Sequence, residues 1–411
     1  MTNLKLHYPF FLFALLLLCT NALAQSAFPA ATWSKAANIS SVLPDKTYEV
    51  SGLYWNDSKK QLYAVCDNGK LLIFNYNNVL NTFSLMSKIS DLGAPEGIMQ
   101  VENGSNEIYT IDESDYEIRK YSLSANYAKA TLSNTWNLLA SPSPMTDTGN
   151  KGPEGIVFVP DWYLHQAGFV SAATGLPYQS VKGMNGLIFI AHQDEGYVWV
   201  FDVNPNVSND MIFVGKYQTN RNESCDLSFD PSTGLMYILH NTGSNYLEVS
   251  NLTASLVGEK YKLNTVVEYY VPNPSSGNTN VEGFALTPKF SDNALVSAWF
   301  CRDTSSSSES LDCLRWFTSF NSPGENILKS GIANYIVNDG EIDISFVHNC
   351  LTIQYPNGKM SSVDICIYSL KGEIINYYTN VSLPFTKKME AKSIQIVSIL
   401  KNGKTLAVRK I

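Results

Sequence analysis

One phrase recurs along this chain and constrains its fold more than any other feature: an acidic residue, usually a glycine, an aliphatic residue, a β-like run, a turn, and a second β-like run ending in polar residues. Glu49-Val50-Ser51-Gly52-Leu53 leads to the run 62–66 and Asp67-Asn68-Gly69. Glu96-Gly97-Ile98 leads to 107–111 and Asp112-Glu113-Ser114-Asp115. Glu154-Gly155-Ile156 leads, after an insertion, to 187–191 and His192-Gln193-Asp194-Glu195. Asp226-Leu227-Ser228-Phe229 leads to 235–239 and His240-Asn241, and Glu282-Gly283-Phe284-Ala285 leads to 294–300 and Arg302-Asp303.

A third and a fourth run follow each second one, as at 70–75 and 82–89. All are short, rich in Val, Ile, Tyr, Phe and Trp, and separated by turn residues. A period of about 45–70 residues with four strands in each copy is what a propeller blade needs. The run 31–40 precedes the first copy, whereas the last copy has a third run at 311–317 and no fourth. The N-terminal run is therefore expected to complete the last blade, and closing the ring removes two sheet edges. Five blades are favoured; six stay open, because 325–337 could form a degenerate blade. The expected fold is all-β: a β-propeller over residues 25–338, then a small β-sandwich-like domain over 339–411.

Lys5, the apolar run 10–18, and the small residues Ala22 and Ala24 make residues 1–24 a signal peptide cleaved after Ala24, with an uncleaved anchor as the alternative. No other apolar stretch is long enough to span a membrane. A secreted or cell-surface protein, monomeric, is expected. The formal charge is −8 and loses one further cation with Lys5, which argues against nucleic acid as a partner. Six cysteines follow the signal segment. In an oxidising compartment the spacing suggests Cys301 with Cys313 and Cys350 with Cys366, leaving Cys66 and Cys225 to pair or to stay as small buried hydrophobes.

The first two strands of a blade are antiparallel, so the start of one and the end of the other share a rim. Glu49, Glu96, Glu154, Asp226 and Glu282 are thereby expected at one mouth of the channel, beside Asp67, Asp112, His192, His240 and Arg302. The insertion 161–185 joins first to second strand and belongs to the opposite face. Converging carboxylates repel unless a cation or bound protons intervene, and hard oxygen donors suit calcium. Two readings of the five acids stay open: calcium ligands, or caps that accept backbone N–H groups from the neighbouring blade. His192, His240 and Glu154 are the candidates for acid–base chemistry, and Asp67, Asp112 and Arg302 for ligand contacts. The histidines leave open the simpler role of hydrogen-bonded rim residues.

The phrases Tyr48-Glu49-Val50-Ser51-Gly52-Leu53, Pro95-Glu96-Gly97-Ile98, Pro153-Glu154-Gly155-Ile156 and Val281-Glu282-Gly283-Phe284 resemble the repeated motif of the SdiA-regulated and phytase-like propellers. The resemblance spans roughly residues 30–335. It implies an exported propeller with calcium in or near its channel and, for the phytase branch, a phosphomonoester hydrolase. The chain departs from the phytase pattern in lacking dense Asp clusters and a Lys and Arg set for a polyanion. The stretch 363–374, the run Ser393-Ile394-Gln395-Ile396-Val397 and the closing 402–411 resemble a type IX secretion sorting domain, which implies the secretion machinery as a partner. Lys392-Ser393-Ile394 replaces the usual Gly-hydrophobic-Tyr opening of its last strand pair.

The sequence thus leads to a calcium-binding propeller that binds or hydrolyses a small anionic, phosphoester-like ligand at an acidic mouth. The alternative is a non-enzymatic surface module, with structural calcium, that holds a glycan or a protein.

Overall fold

The run Gln61–Cys66 is buried at every position, and so is Gly186–His192. Successive side chains of a strand point to opposite faces, so such runs need cover on both sides. The computed structural model describes residues 25–43, 49–102, 104–274, 276–277, 279–289, 295–304, 306–324, 342–347, 350–355, 360–369, 374–389, 395–401 and 404–410. It provides that cover by stacking five antiparallel four-stranded sheets round one axis.

Blade one is Val50–Asn56, Gln61–Cys66, Lys70–Asn77 and Thr82–Ile89; blade two is Pro95–Met99, Glu107–Asp112, Glu117–Leu123 and Ala130–Asn137. Blade three is Pro153–Pro160, Gly186–His192, Tyr197–Val203 and Met211–Gln218; blade four is Asp226–Asp230, Leu235–Asn241, Asn245–Val257 and Lys260–Tyr270. A single parallel pairing of Gln218 with Lys262 joins the outer edges of these two. Blade five takes Val281–Leu286, Ala298–Arg302 and Leu314–Phe317 from the end of the repeat and Ala37–Asn38 from its beginning. Each first strand packs on that of the next blade, and the fifth on the first, which closes the ring.

Strand alternation divides each blade between two cores. Leu62, Ala64 and Cys66 face blade five with Trp299 and Trp316, while Tyr63 and Val65 face blade two with Ile98 and Ile108. One such core lies between every pair of neighbours.

The expected closing run 31–40 is corrected in its extent. Leu314–Phe317 is short, and only Ala37 and Asn38 pair with it. Trp33–Lys35 instead makes one 3₁₀ turn that drops Trp33 beside Phe317. Further upstream, Ser26 and Ala27 run parallel to the last residues of Lys260–Tyr270, so the N-terminal stretch clasps blades four and five. The expected signal segment 1–24, the stretch 325–337 considered for a sixth blade, and the boundary at 338 and 339 lie outside the described residues.

Beyond the propeller, a three-stranded sheet of Asp343–Val347, Cys350–Gln354 and Phe385–Lys388 and a four-stranded sheet of Met360–Ser369, Ile374–Leu383, Gln395–Lys401 and Lys404–Lys410 share one core, as in a β-sandwich. The expected disulfides are not formed: Cys66, Cys225, Cys301, Cys313, Cys350 and Cys366 are all thiols. Cys301 Sγ donates to Ser51 O and Cys313 Sγ to Ser310 O, so the two point to different carbonyls. Cys350 and Cys366 lie on different sheets of the sandwich. No helix among the described residues is long and apolar enough to cross a membrane.

Candidate functional site

Four blades interrupt their first strand pair with a bulge, between Val50 and Gly52, Pro95 and Gly97, Pro153 and Ile156, and Val281 and Gly283. Each bulge sets a glycine backbone directly against the next blade. A Cβ on Gly52 would stand 2.3 Å from Glu96 O, one on Gly97 2.6 Å from Glu154 O, one on Gly155 2.5 Å from Asp226 Cα, and one on Gly283 2.7 Å from Ser51 O. The glycine of the repeat is thus required by close backbone approach between blades. The residue before it enters the channel end, which places Glu96, Glu154 and Glu282 there.

Two acids of the repeat do not fit this pattern. In blade one the bulged residue is Ser51, and Glu49 lies two positions upstream. Blade four pairs without a bulge, so Asp226 takes the place that glycine holds elsewhere. Its carboxylate is wholly buried and turned towards blade five, Oδ2 accepting the Phe284 N–H at 2.6 Å and Oδ1 the Leu227 N–H at 2.8 Å. For Asp226 the capping role expected as the alternative to calcium ligation is the one observed.

A similar one-residue distinction sorts the second strands. Asp112, His192 and Arg302 pair with the residues that precede the acids, and each side chain is engaged between blades or with loops. Asp112 Oδ2 accepts the Ala94 N–H at 2.8 Å and pairs with Arg119, which also holds Asp115 and Glu117. Arg302 donates to Ser276 O at 2.8 Å and to Asp312 O at 3.2 Å, fastening the loops of that rim. His192 Nδ1 accepts the Asp194 N–H at 3.1 Å, its ring lies between Tyr116 and Trp199, and burial pulls its pKa down to about 4. His240, equally buried, has Nδ1 2.8 Å from Glu223 O and Nε2 3.2 Å from Glu248.

The next residue along each strand faces the other way. Asp67, Glu113 and Asp303 accordingly join the acids, and sequence reasoning passed over the last two in favour of their neighbours. Gln193 and Asn241 stand at the same register in blades three and four. Seven carboxylates therefore meet at this end, and their electrostatics tie them together. Glu49 is pushed up to about 7 by its hydrogen bond with Asp67, then by burial and the charges of Asp67 and Asp303. Glu96 also rises to about 7, through burial and the charges of Glu113, Asp67 and Asp112, against a hydrogen bond from Ser51. Burial first, then Glu96, Glu113 and Glu282, lifts Glu154 well above the carboxylate range; burial, then Asp303, Glu96 and Asp67, does the same for Glu282. Glu113 also accepts the Gly152 N–H at 2.9 Å, and Asp67 Oδ1 is buried with no hydrogen-bond partner. Among the described residues no three His, Cys, Asp or Glu side chains already stand in ligating geometry.

Past the glycines the channel changes character. Leu53, Ile98, Ile156 and Leu227 form one layer, Trp55, Gln100, Phe158, Phe229 and Leu286 the next, and Asp57, Glu102, Pro160, Pro231 and Pro288 a rim. The insertion 161–185, with its helix Asp161–Ala167, lies on this face and contributes Met184 and Asn185 to the wall.

No family model and no curated protein matches the chain. Among solved structures it is similar to the nidogen/laminin complex, at 13% identity over 62% of this chain and 72% of that one, with a TM-score of 0.33. It is also similar to Sqt1 of Saccharomyces cerevisiae, at 11% identity over 88% of this chain and 84% of that one, with a TM-score of 0.30. Both likenesses are too loose to bear on what the chain does, and the propeller rests on its strand pairing.

Proposed function

We propose that the acidic end of the channel binds a divalent cation, calcium above all, and that the propeller works as a binding module whose cation meets an anionic group of its ligand. The observation that carries this reading is that Glu49, Glu96, Glu154 and Glu282, brought from four blades, stand with pKa values raised by burial and by one another or by the Asp67, Glu113 and Asp303 charges beside them. Such a set holds protons in place of a cation, and a hard dication would displace them. Carboxylate oxygens are the donors calcium prefers. Glu96, Glu154 and Glu282 would hold the ion, with Asp67 Oδ1, which has no hydrogen-bond partner, as a further oxygen, and binding would have to draw them together.

An anionic ligand needs that cation. Arg119, Arg221, Arg302 and Arg315 at this rim are engaged, the first by Asp112, Asp115 and Glu117, the second by Glu268 and the last two by Asp312. Hydrolysis has less support than binding, since His192 and His240 are enclosed between blades and Glu154 belongs to the cation set. Export through residues 1–24 and sorting through residues 339–411 form part of the same proposal and rest on the sequence.

Calorimetric titration of calcium into chelator-treated protein tests the reading. Saturable binding with release of protons near pH 6.5, weakened at least about tenfold by Glu96→Gln with Glu154→Gln, is expected. A titration that shows no heat, or one the double substitution leaves unchanged, would remove the ion. Para-nitrophenyl phosphate should then bind in a calcium-dependent way without turning over.

A further inference from the structure

The far end of the channel holds a cavity remote from the acidic cluster. It measures about 130 Å³ and opens between the aliphatic layer and the proline rim, with Phe158 and Phe229 half-buried in its wall. An enclosed apolar cavity of about 150 Å³ admits a whole benzene ring; this one is slightly smaller but open at the rim, so a ring can enter without being enclosed completely. Gly186 leaves room for the Phe158 ring, since a Cβ there would lie 2.4 Å from its Cζ. Gln100 supplies no free group to the interior: its amide takes a bond from Asn56 and donates to Glu107 O and Ser105 O. With Leu53, Ile98, Ile156, Leu227, Phe158 and Phe229 making up most of its inner wall, the interior favours an apolar ring.

Beside it lies a polar recess of about 190 Å³, and the two share Val101, Glu102, Met184 and Asn185. Lys120 lines this recess, but its ammonium is taken by Glu107 Oε1 at 2.8 Å and Pro205 O at 3.3 Å. Glu102 is exposed at the junction, so the charge there is net negative.

We propose that this end of the propeller binds a small molecule made of an aromatic ring and an ammonium head, the ring entering the apolar cavity and the ammonium meeting the Glu102 carboxylate. The ring supplies most of the affinity, because exposed ion pairs contribute about 1 kcal/mol or less. Glu102 supplies orientation and the preference for a cation over an anion.

Phenethylamine and phenylacetate, the same ring with opposite charge, are the probes. Titrated calorimetrically into the full chain, phenethylamine is expected to bind with a Kd of about 1 mM or below, at least about threefold tighter than phenylacetate. Glu102→Gln should bring the two within about twofold of each other. Val101→Trp, which fills the wall common to both recesses, should abolish binding of both, and Phe158→Ala should weaken both if the tryptophan variant fails to fold. Glu154→Gln, at the opposite end, should leave the phenethylamine isotherm unchanged, and loss of binding there would transfer the amine to the acidic end and overturn the proposal. No binding by either probe, or binding indifferent to Val101→Trp and Phe158→Ala, would overturn it as well.

Discussion

Asp226 Oδ2 accepts the backbone N–H of Phe284 at 2.6 Å across the boundary between blades four and five. That bond replaces the glycine contact used at the four bulged strands, and the carboxylate is buried completely. Asp226→Ala strands two buried N–H groups and is expected to cost about 1–3 kcal/mol of stability, whereas Asp226→Asn, which keeps an accepting oxygen for only one of them, should cost less than Asp226→Ala. Urea denaturation of the two variants separates these outcomes. Neither change should alter calcium binding, which distinguishes Asp226 from Glu154.

Raised carboxyl pKa values impose a pH dependence of definite sign. The folded protein keeps protons on Glu49 and Glu96 up to about pH 7, while the unfolded chain gives them up near the ordinary 4.5. Unfolding in that interval releases protons, so stability falls as pH rises from about 4.5 to about 7. Glu154 and Glu282, raised well above the usual carboxylate range by burial and by neighbouring carboxylates, contribute with the same sign. Melting temperatures in chelator should decline across this range, and saturating calcium should flatten the decline. A melting curve in chelator that rises with pH would contradict the raised carboxyls.

The glycines give a test of the ring itself. Gly97→Ala puts a Cβ 2.6 Å from Glu154 O and 2.9 Å from Ile156 N, both backbone atoms of the next blade. The blades have to move apart, and a loss of about 3 kcal/mol, the upper end of overpacking costs, is expected. Gly104→Ala meets nothing within 4 Å and should stay within about 0.5 kcal/mol of the parent. Equal effects at the two positions in thermal denaturation would mean that the blades do not touch at the repeat glycine.

These relationships explain which parts of the molecule could be read from sequence. Blade strands were legible because runs such as Gln61–Cys66 are apolar on both faces and turn residues punctuate them. Ring closure was legible from a missing fourth strand, although the stretch that supplies it pairs through two residues only. The site was legible at Glu96, Glu154 and Glu282, where the acid precedes a glycine. It failed at Asp226, because a bulge shifts the register by one residue and its absence in one blade leaves no local mark; Glu49 joins the other acids from two positions before the bulged Ser51. The same one-residue uncertainty exchanged Asp112 for Glu113 and Arg302 for Asp303: neighbours at a strand end point to opposite sides, and the end of pairing is set by the partner strand.

His192 and His240 hold matching positions near the ends of the second strands of successive blades, yet their surroundings predict different consequences of substitution. His192 Nε2 has no hydrogen-bond partner, and the low pKa keeps the ring neutral, so His192→Phe loses only the Nδ1 bond from Asp194 and should cost about 1 kcal/mol. His240 faces Glu248, whose pKa is lowered despite burial by the hydrogen bond and charge of that imidazole, followed by bonds from Thr265 and Asn220. His240→Phe leaves that carboxylate buried without its imidazole partner and should cost about 3 kcal/mol or more. Glu248→Gln combined with His240→Phe should recover part of the loss, because no charge then remains uncompensated. Denaturant titration of the two single variants and the pair measures the coupling directly; additive costs would show that His240 and Glu248 do not form a unit.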